Sequence, residues 1–236
     1  MWVAAFRAPQ VAAAALPGQF VNLDLGPDLM LRRPFSVYGT AEESVEVLFK
    51  VVGRGTRRLL ELPVGHAISL LGPLGSGFQP PPPGARVAVL SGGLGVAAMR
   101  LPAEQALRSG SEVAWVHGAR TAADLCAEWT GSRAIWATED GSRGTSGNVM
   151  MAVTDQDFDV VLACGPNPML KAVADRWPAA QVALETYMGC GTGVCLGCAV
   201  PLAGGGYDRS CREGPVYRAG QVDWSRLPSH LHYSVA

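Results

Sequence analysis

The sequence ETYMGCGTGVCLGCAV, residues 185–200, decides how the C-terminal part of this chain folds, because it carries Cys190, Cys195 and Cys198. A fourth cysteine, Cys211, follows in a glycine-rich segment, so the spacing is C-x4-C-x2-C-x12-C. Glycines stand between the thiols, where they permit positive φ angles and let backbone N–H groups point at sulfur atoms. We therefore expect the run to wrap around a group that four thiolates hold.

The cysteine spacing has one preferred interpretation and two alternatives. C-x4-C-x2-C followed by a distant cysteine is the ligand pattern of a plant-type [2Fe–2S] cluster, which predicts a protein that transfers electrons. Structural zinc usually takes two C-x2-C knuckles, and this chain offers one; a zinc-stabilised binding module is the alternative of a different class, and it predicts a colourless protein. A disulfide pair is disfavoured in a reducing cytosol and does not need the glycines.

Composition indicates a compact globular protein without an electrostatic footprint for large anions. The chain has 236 residues, of which 48% are hydrophobic and 17% charged, enough for two or three small domains. The formal net charge of −1 argues against nucleic acid or an anionic membrane as a partner.

No apolar run approaches the ~20 residues that span a bilayer. The Ala-rich start lacks a basic segment, so no signal peptide is expected, and two cysteines outside the cluster pattern, Cys126 and Cys164, fit a reducing cytoplasm.

Residues 19–71 alternate apolar and polar positions in short runs separated by turn residues, which predicts antiparallel strands closing into a small β-barrel. Residues 33–36 read RPFS at a strand end, and residues 53–56 read GRGT after the next strand. An Arg can bind a diphosphate, an aromatic ring can lie against a flavin, and a hydroxyl can reach a ring nitrogen. The short helix expected after Thr56 would offer N–H groups to phosphate. The alternatives are that RPFS is an ordinary strand end and that GRGT is a plain helix N-cap without a ligand.

Pro80–Pro83 predict a stiff connector, because four prolines fit neither a helix nor a central strand. A short buried strand over residues 87–90 then runs into the sequence GGLG, residues 92–95, and an Ala-rich helix to about Ser109. Strand, glycine turn and helix in this order can bind a diphosphate at the helix N-terminus. The motif is shorter than the six-residue Rossmann fingerprint, and a βα turn without a ligand is the alternative.

Further strands and helices alternate along residues 122–177, which predicts a parallel, doubly wound sheet. They comprise a helix from Ala122, a strand over residues 133–138, a strand from Phe158 and a helix over residues 167–177. The Gly-rich loop of residues 139–147 and the CGP sequence of residues 164–166 are both expected at the carboxyl edge, where such sheets bind ligands. A buried cysteine is usually a small hydrophobic residue, but the position of Cys164 above a strand end also allows a functional role.

Taken in order, RPFS, GRGT, PLGSGF, GGLGVA, EDGSRGTSG, ACGPNPML and the cysteine run resemble the ferredoxin reductase superfamily. More narrowly, the chain resembles the electron-transfer subunits of type B (NAD-dependent) dihydroorotate dehydrogenase over about residues 17–224. MGCGTGVCLGCAVPL and the later SCREGPVY carry the most specific part of this resemblance.

The resemblance implies an FAD-binding β-barrel domain over residues 1–82, a doubly wound NAD-binding α/β domain over residues 83–184 and a [2Fe–2S] domain over residues 185–236. The FAD-binding residues would be Arg33, Pro34, Phe35, Ser36, Leu48, Phe49, Lys50, Gly55 and Thr56. The NAD-binding residues would be Gly92, Gly93, Gly95, Gly165 and Pro166, with Cys164 near the site of hydride transfer. The cluster ligands would be Cys190, Cys195, Cys198 and Cys211.

The function implied by the resemblance is electron transfer in de novo pyrimidine (UMP) biosynthesis. A partner subunit with FMN would oxidise dihydroorotate, and electrons would pass through the [2Fe–2S] cluster and FAD to NAD+, in a heterotetramer with two copies of each subunit. A related reductase subunit that couples NAD(P)H to ferredoxin, hydrogenase or sulfur reduction is the alternative. The sequence does not distinguish NAD from NADP as the nucleotide, because Arg120 could contact the 2′-phosphate of NADP or face solvent.

The chain departs from the family pattern at two places. Ala98 stands where the family usually has proline after GGLGVA, at the start of the predicted nucleotide-site helix. The region before Pro17 is short and Ala-rich, whereas the family has a clear first barrel strand there.

Overall fold

The computed structural model describes residues 1–125, 133–154 and 157–229. The strands are β1 (Trp2–Arg7), β2 (Phe20–Leu23), β3 (Arg33–Ser36), β4 (Gly39–Ala41), β5 (Ser44–Phe49), β6 (Leu70–Leu74), β7 (Arg86–Gly92), β8 (Glu112–Ala119), β9 (Arg133–Thr138), β10 (Thr145–Ser146), β11 (Val160–Cys164), β12 (Gln181–Ala183), β13 (Ala199–Pro201), β14 (Tyr207–Arg209) and β15 (Val216–Arg218). The α-helices are α1 (Pro9–Ala14), α2 (Arg54–Glu61), α3 (Arg100–Arg108), α4 (Val149–Ala152) and α5 (Asn167–Arg176). Within the described residues, 3-10 turns cover Gly93–Ala98, Ala122–Asp124, Ala219–Gln221 and Trp224–Arg226. Across these ranges no helix is both long enough and apolar enough to span a bilayer.

The N-terminal strands confirm the antiparallel prediction and divide between two three-stranded sheets, ordered β1-β5-β4 and β3-β2-β6. Val21 and Leu23 of β2 and Val45 and Val47 of β5 are fully buried between them. Alternation of apolar and polar residues places these side chains on the inner faces, because successive residues of a strand point to opposite sides.

The Ala-rich start supplies the first strand that the sequence did not reveal. β1 pairs antiparallel with β5 over its whole length, from Trp2 opposite Phe49 to Arg7 opposite Ser44. Ala4 and Phe6 pack against the barrel core. The strand was hidden in the sequence because alanine at an inward position weakens the apolar alternation on which strand prediction depends.

A seven-stranded sheet, ordered β10-β9-β8-β7-β11-β12-β15, forms the second region. All its pairings are parallel except that of β15 with β12, which is antiparallel. Val87 and Val89 of β7 pack on the same face as α3, and Ala88 and Leu90 pack on the opposite face with α4 and α5. Helices on both faces bury most residues of the central strands, which confirms the doubly wound sheet and explains the apolar run of β7 from Val87 to Leu90.

Two predicted helices differ in the structure. The segment after the GGLG motif begins as a 3-10 helix, Gly93–Ala98, and becomes α-helical only at Arg100. The helix expected from Ala122 is a single 3-10 turn up to Asp124, and the rest of that segment, with Cys126, lies outside the described residues. Pro80–Pro83 lie between β6 and β7 outside any strand or helix.

The regions share hydrophobic contacts. Tyr38, Leu48 and Phe78 of the N-terminal region pack in one cluster with the α3 face of the parallel sheet. Tyr217 of β15 packs in the cluster on the other face, so the C-terminal segment contributes an edge strand to that sheet. The domain limits at residues 82 and 184 stay a prediction.

Candidate functional site

An open cavity of about 630 Å³ lies beside β3 and the start of α2. Five of the residues predicted to bind FAD line it, and the opposite wall is formed by residues 186–189, the beginning of the cysteine run. The five are Arg33, Pro34, Phe35, Gly55 and Thr56. The fold therefore brings two segments, far apart in sequence, to one cavity of the size that binds a cofactor.

Arg33 and Gly55 are in close contact at the mouth of this cavity. A Cβ at Gly55 would lie 2.9 Å from Arg33 Nε, so a larger residue would displace the guanidinium. The Arg33 guanidinium donates a hydrogen bond to the backbone carbonyl of Leu31, which fixes its direction. A fixed, planar guanidinium beside the N-terminus of α2 is suited to a diphosphate.

The Thr56 hydroxyl shapes the turn before α2. Its Oγ1 accepts hydrogen bonds from the backbone N–H groups of Val52, at 2.9 Å, and Gly53, at 3.2 Å, and it donates to the Gly53 carbonyl at 3.1 Å. These bonds satisfy backbone groups that a helix N-terminus leaves unpaired. Thr56 therefore orders the GRGT turn, whose four residues line the cavity.

The other residues predicted to bind FAD lie outside the cavity lining. Leu48 and Phe49 are buried, and Phe49 packs edge-to-face on Phe35 with ring centroids 6.2 Å apart. Lys50 Nζ lies 2.6 Å from the carboxylate of Asp124, which follows β8. Ser36 ends β3, opposite Phe20 of β2. The Phe49 side chain therefore supports the cavity from behind through Phe35, whereas Leu48 packs in the cluster with the α3 face of the parallel sheet.

The polar groups at the cavity fit a flavin nucleotide. Thr186 Oγ1 is buried in the wall and has no hydrogen-bond partner within the described part of the chain. A buried hydroxyl without a partner costs about 1–3 kcal/mol, so a polar ligand in the cavity would relieve this cost. Together with Arg33 and the N-terminus of α2, this chemistry fits FAD.

The two segments predicted to bind NAD meet at the carboxyl edge of the parallel sheet. β7 and β11 pair side by side, with Ser91 opposite Cys164. A Cβ at Gly95 would lie 2.3 Å from the carbonyl oxygen of Cys164, and one at Gly165 would lie 3.1 Å from the backbone nitrogen of Gly92. Only glycine allows this approach, which leaves a shallow backbone surface at the edge where such sheets bind nucleotides.

Cys164 is buried at this edge, with 4% of its surface exposed. Burial raises the pKa of its thiol well above the ordinary value, and the nearby Glu185 carboxylate adds to the effect. The thiol is therefore protonated near neutral pH and is not a nucleophile. Burial also raises the pKa of Glu185, which the sequence analysis did not single out.

The Gly-rich loop of residues 139–147 follows β9 at the same edge, as predicted. It folds back on its strand: Thr138 Oγ1 accepts from Arg143 N at 2.9 Å and donates to the Arg143 carbonyl at 3.0 Å. A Cβ at Gly144, which has φ +73°, would lie 2.0 Å from the Trp136 carbonyl oxygen. The Arg143 guanidinium stacks 4.6 Å above the Trp136 ring centroid, which holds a positive charge beside the carboxyl edge of the sheet.

The cysteine run is arranged around its first thiol. Cys190 Sγ accepts backbone hydrogen bonds from Thr192, Val194 and Cys195, each 3.4 Å long. These bonds, the one from Thr192 first, lower the pKa of Cys190 to about 5. Several N–H groups directed at one sulfur stabilise a thiolate, which is the form that binds metal.

The remaining thiols divide between a buried and an exposed side. Cys198 and Cys211 are buried against Phe20 of β2, with their sulfur atoms 3.2 Å apart. Cys195 is exposed and accepts a 3.5 Å hydrogen bond from the Gly197 N–H group. A Cβ at Gly189 would lie 3.3 Å from Cys195 Sγ, so glycine keeps this side of the loop open.

The donor set fits a [2Fe–2S] cluster. Over residues 1–125, 133–154 and 157–229, no three His, Cys, Asp or Glu side chains are grouped closely enough for one metal ion. A [2Fe–2S] cluster takes two thiolates per iron, so it does not require three ligands around one point. Ser210 Oγ and Tyr217 Oη are buried next to this segment and have no hydrogen-bond partner in the same residue ranges. Sulfur atoms are acceptors that such hydroxyls can use.

Comparison with known proteins places the chain in a family. The model of the iron–sulfur cluster binding domain of dihydroorotate dehydrogenase B matches residues 185–223. The electron transfer subunit of dihydroorotate dehydrogenase B (NAD(+)) from Bacillus caldolyticus is 38% identical over 222 residues, covering 87% of this chain and 86% of its own length. The subunit from Desulforamulus reducens is 36% identical and covers 93% and 91%. The chain belongs to the family of dihydroorotate dehydrogenase B electron transfer subunits.

Solved structures agree on the fold. A chain from the NADH-dependent reduced ferredoxin-NADP oxidoreductase matches with a TM-score of 0.85 and 30% identity, covering 95% of this chain and 86% of that one. The ferredoxin reductase of carbazole 1,9a-dioxygenase matches with a TM-score of 0.62 and 23% identity over 74% of this chain, which shows the fold alone. The ferredoxin-reductase fold is therefore confirmed.

Within this dihydroorotate dehydrogenase B family member, the structure adds residues that sequence reasoning missed. Phe20 and Asn22 of β2 contact the cysteine segment, and Thr186 and Met188 of that segment line the cavity beside β3. One signal was available in the sequence: Asn22 is a polar residue in an otherwise apolar strand, and such a residue stays buried only with a hydrogen-bond partner.

Proposed function

We propose that this chain carries electrons between a dihydroorotate-oxidising partner with FMN and NAD+, through a [2Fe–2S] cluster and FAD, in de novo pyrimidine (UMP) biosynthesis. One observation carries the proposal: residues 186–189, which open the cysteine run, form a wall of the cavity lined by Arg33, Phe35 and Thr56. A flavin in this cavity and a cluster on the four thiols would be direct neighbours.

The roles of the residues follow from their chemistry. Bound FAD can exchange a hydride with a nicotinamide and single electrons with a cluster, which sets the order NAD, FAD, cluster. Arg33 and the turn ordered by Thr56 hold the diphosphate of FAD. Gly92, Gly93, Gly95, Gly165 and Pro166 present backbone to NAD, with Cys164 beneath the hydride-transfer site. Cys190, Cys195, Cys198 and Cys211 hold the cluster.

The partner is proposed to dock on the exposed side of the cluster loop. Val194 and Leu196, which flank Cys195, are 80% and 62% exposed, and Tyr187 is 50% exposed. Exposed apolar side chains grouped at one site mark interaction surfaces. The partner's FMN would then lie near the cluster in a cytoplasmic heterotetramer with two copies of each subunit.

Removal of one cluster ligand tests the serial order. Cys195→Ser is expected to abolish electron transfer to or from the partner and to leave NADH oxidation by an artificial two-electron acceptor largely intact, because the hydride step needs only FAD and NAD. Stopped-flow kinetics, visible absorbance and EPR of the reduced protein measure both steps. Cys126→Ser, outside the ligand pattern, is the matched control. Loss of both activities in a folded Cys195→Ser variant that keeps its flavin contradicts the order.

A second candidate function is reduction or oxidation of ferredoxin, favoured by the structural match to the NADH-dependent reduced ferredoxin-NADP oxidoreductase. Co-purification with an FMN-containing subunit that oxidises dihydroorotate supports the first function. Electron exchange with ferredoxin, in the absence of such a subunit, supports the second.

A further inference from the structure

The outer face of β2 lies between the flavin cavity and the cysteine segment. Val21 and Leu23 point into the barrel core, so Phe20 and Asn22 point away from it. Phe20 is buried in a cluster with Cys198, Cys211 and Met188. This strand is therefore the surface on which the cluster segment rests.

Asn22 makes the polar contact of that surface. Its Nδ2 donates a 3.1 Å hydrogen bond to the backbone carbonyl oxygen of Cys190, and its side chain is almost wholly buried, with 1% of the residue exposed. Among the residues that the structure describes, the Oδ1 atom of the same amide is buried without a hydrogen-bond partner. The hydrogen bond from Asn22 Nδ2 to the Cys190 carbonyl therefore joins residues that lie 168 positions apart in the sequence.

The loop approaches Asn22 as closely as its backbone permits. Gly191 has φ +69°, in the left-handed region that favours glycine. A Cβ at this position would lie 2.0 Å from Asn22 Nδ2. The space at residue 191 is thus limited by contact with β2, and the first cluster ligand is attached directly to this contact.

The other side of Asn22 leads to the flavin cavity. Asn22 lies opposite Pro34 in the antiparallel pairing of β2 with β3, and Pro34 and Phe35 line the cavity. Residues that lie opposite each other in such a pair project from the same face of the sheet. Asn22 therefore pairs directly with the strand of the flavin motif, and its side chain is bonded to the backbone of a cluster ligand.

We propose that Asn22 is a positioning residue that fixes the distance between the flavin and the cluster and so sets the rate of electron transfer between them. The inference rests on the proposed function. In each transfer one electron leaves the reduced flavin and one enters the oxidised cluster, with NADH as the reductant of the pair. Tunnelling rates fall exponentially with distance, so a loop released from β2 transfers electrons more slowly even when both cofactors stay bound.

The test uses the complete protein loaded with flavin and cluster. Asn22→Leu keeps the shape of the side chain and removes the hydrogen bond. Asn22→Ala also removes the bond and controls for overpacking by the leucine side chain. After rapid mixing with NADH, absorbance follows flavin reduction and freeze-quench EPR follows cluster reduction. The matched control is Gln19→Leu: this barrel amide donates a 2.7 Å hydrogen bond to the Gly75 carbonyl and makes no hydrogen bond to residues 185–200.

In both Asn22 variants, flavin reduction is expected at the wild-type rate and cluster reduction at least about tenfold slower, the scale on which outer-shell partners of metal ligands act. Iron content, the g values of the reduced cluster and its midpoint potential are expected to match the wild type, as is the kinetic behaviour of Gln19→Leu.

Cluster reduction at the wild-type rate overturns the inference. So does equal slowing in Gln19→Leu, a shift in midpoint potential large enough to explain the slower rate, or loss of iron from both Asn22 variants. A wild-type protein that binds no flavin or no cluster would overturn the proposed function itself, which the wild-type measurement shows before any variant is compared.

Discussion

At the scale of single residues, His117 is the centre of a buried polar group under the carboxyl edge of the parallel sheet. Its Nδ1 lies 2.9 Å from Ser91 Oγ, which also accepts a 2.8 Å hydrogen bond from Trp115 Nε1. His117 is 2% exposed, and burial lowers its pKa from 6.5 to about 4. The imidazole is therefore neutral at physiological pH and serves as a hydrogen-bonding group of the core.

This shift predicts acid sensitivity. Because the unfolded chain binds a proton near pH 6.5 and the folded chain only near pH 4, stability is complete above 6.5 and falls as the pH drops through this window. The loss attributable to His117 between pH 7.5 and pH 5 is about 2 kcal/mol. Urea unfolding of the wild type and of His117→Asn at the two pH values measures it. Equal losses in the two proteins would refute the assignment.

At the scale of elements, α2 depends on one hydroxyl. The helix begins at Arg54 without a side-chain cap from Gly53, and Thr56 instead holds the preceding turn through its three hydrogen bonds to backbone groups. The same turn faces the cavity proposed for FAD. Stability of the helix start and binding of the diphosphate are thus coupled through a single side chain.

Thr56→Val keeps the shape of the side chain and removes these bonds. It is expected to cost about 1 kcal/mol of unfolding free energy, the usual value of a lost cap, and to speed flavin dissociation. Thr56→Ser restores the hydroxyl and should recover most of both losses. Urea unfolding and flavin fluorescence measure the two effects. A Thr56→Val protein with wild-type flavin release would show that the turn does not organise the site.

At the scale of the whole molecule, charged contacts join the two N-terminal antiparallel sheets to the region of the seven-stranded sheet. Arg100 of α3 lies 2.8 Å from the Glu46 carboxylate of β5 and stacks 4.9 Å from the Tyr38 ring centroid. Lys50 and Asp124 form a second contact across the same boundary at 2.6 Å. These pairs are partly exposed, so their effect lies in orienting the two regions more than in stability.

A double-mutant cycle tests the first pair. Arg100→Met combined with Glu46→Gln is expected to give a coupling energy of about 1 kcal/mol or less in urea unfolding, which decreases as salt is added, because a partly exposed pair is screened. Flavin reduction by NADH should slow in both single variants, since the two regions must hold hydride donor and acceptor together. Unchanged flavin reduction would show that the apolar contacts alone orient the regions.

Local sequence patterns predicted much of this structure. The antiparallel strands, the doubly wound sheet, α2 and the Gly-rich edge loop could be predicted because alternation, βα order and glycine turns reflect short-range sterics. The four-cysteine spacing was equally readable, since ligand geometry limits the intervals between thiols. β1 was missed because its alanines carry a weak apolar signal. The segment after the GGLG motif was expected as an α-helix but begins as a 3-10 helix, in which Gly95 packs directly on Cys164.

The sequence by itself determined the types of element and the chemistry of the thiols, because both depend on residues close together in the chain. Only the tertiary structure decided that residues 186–189 line the cavity of the flavin motif, that Phe20 covers Cys198 and Cys211, and that Asn22 contacts Cys190. The physical reason is that these contacts join distant segments, and they form only where the packing of two sheets and a loop buries apolar surface and pairs each buried polar group.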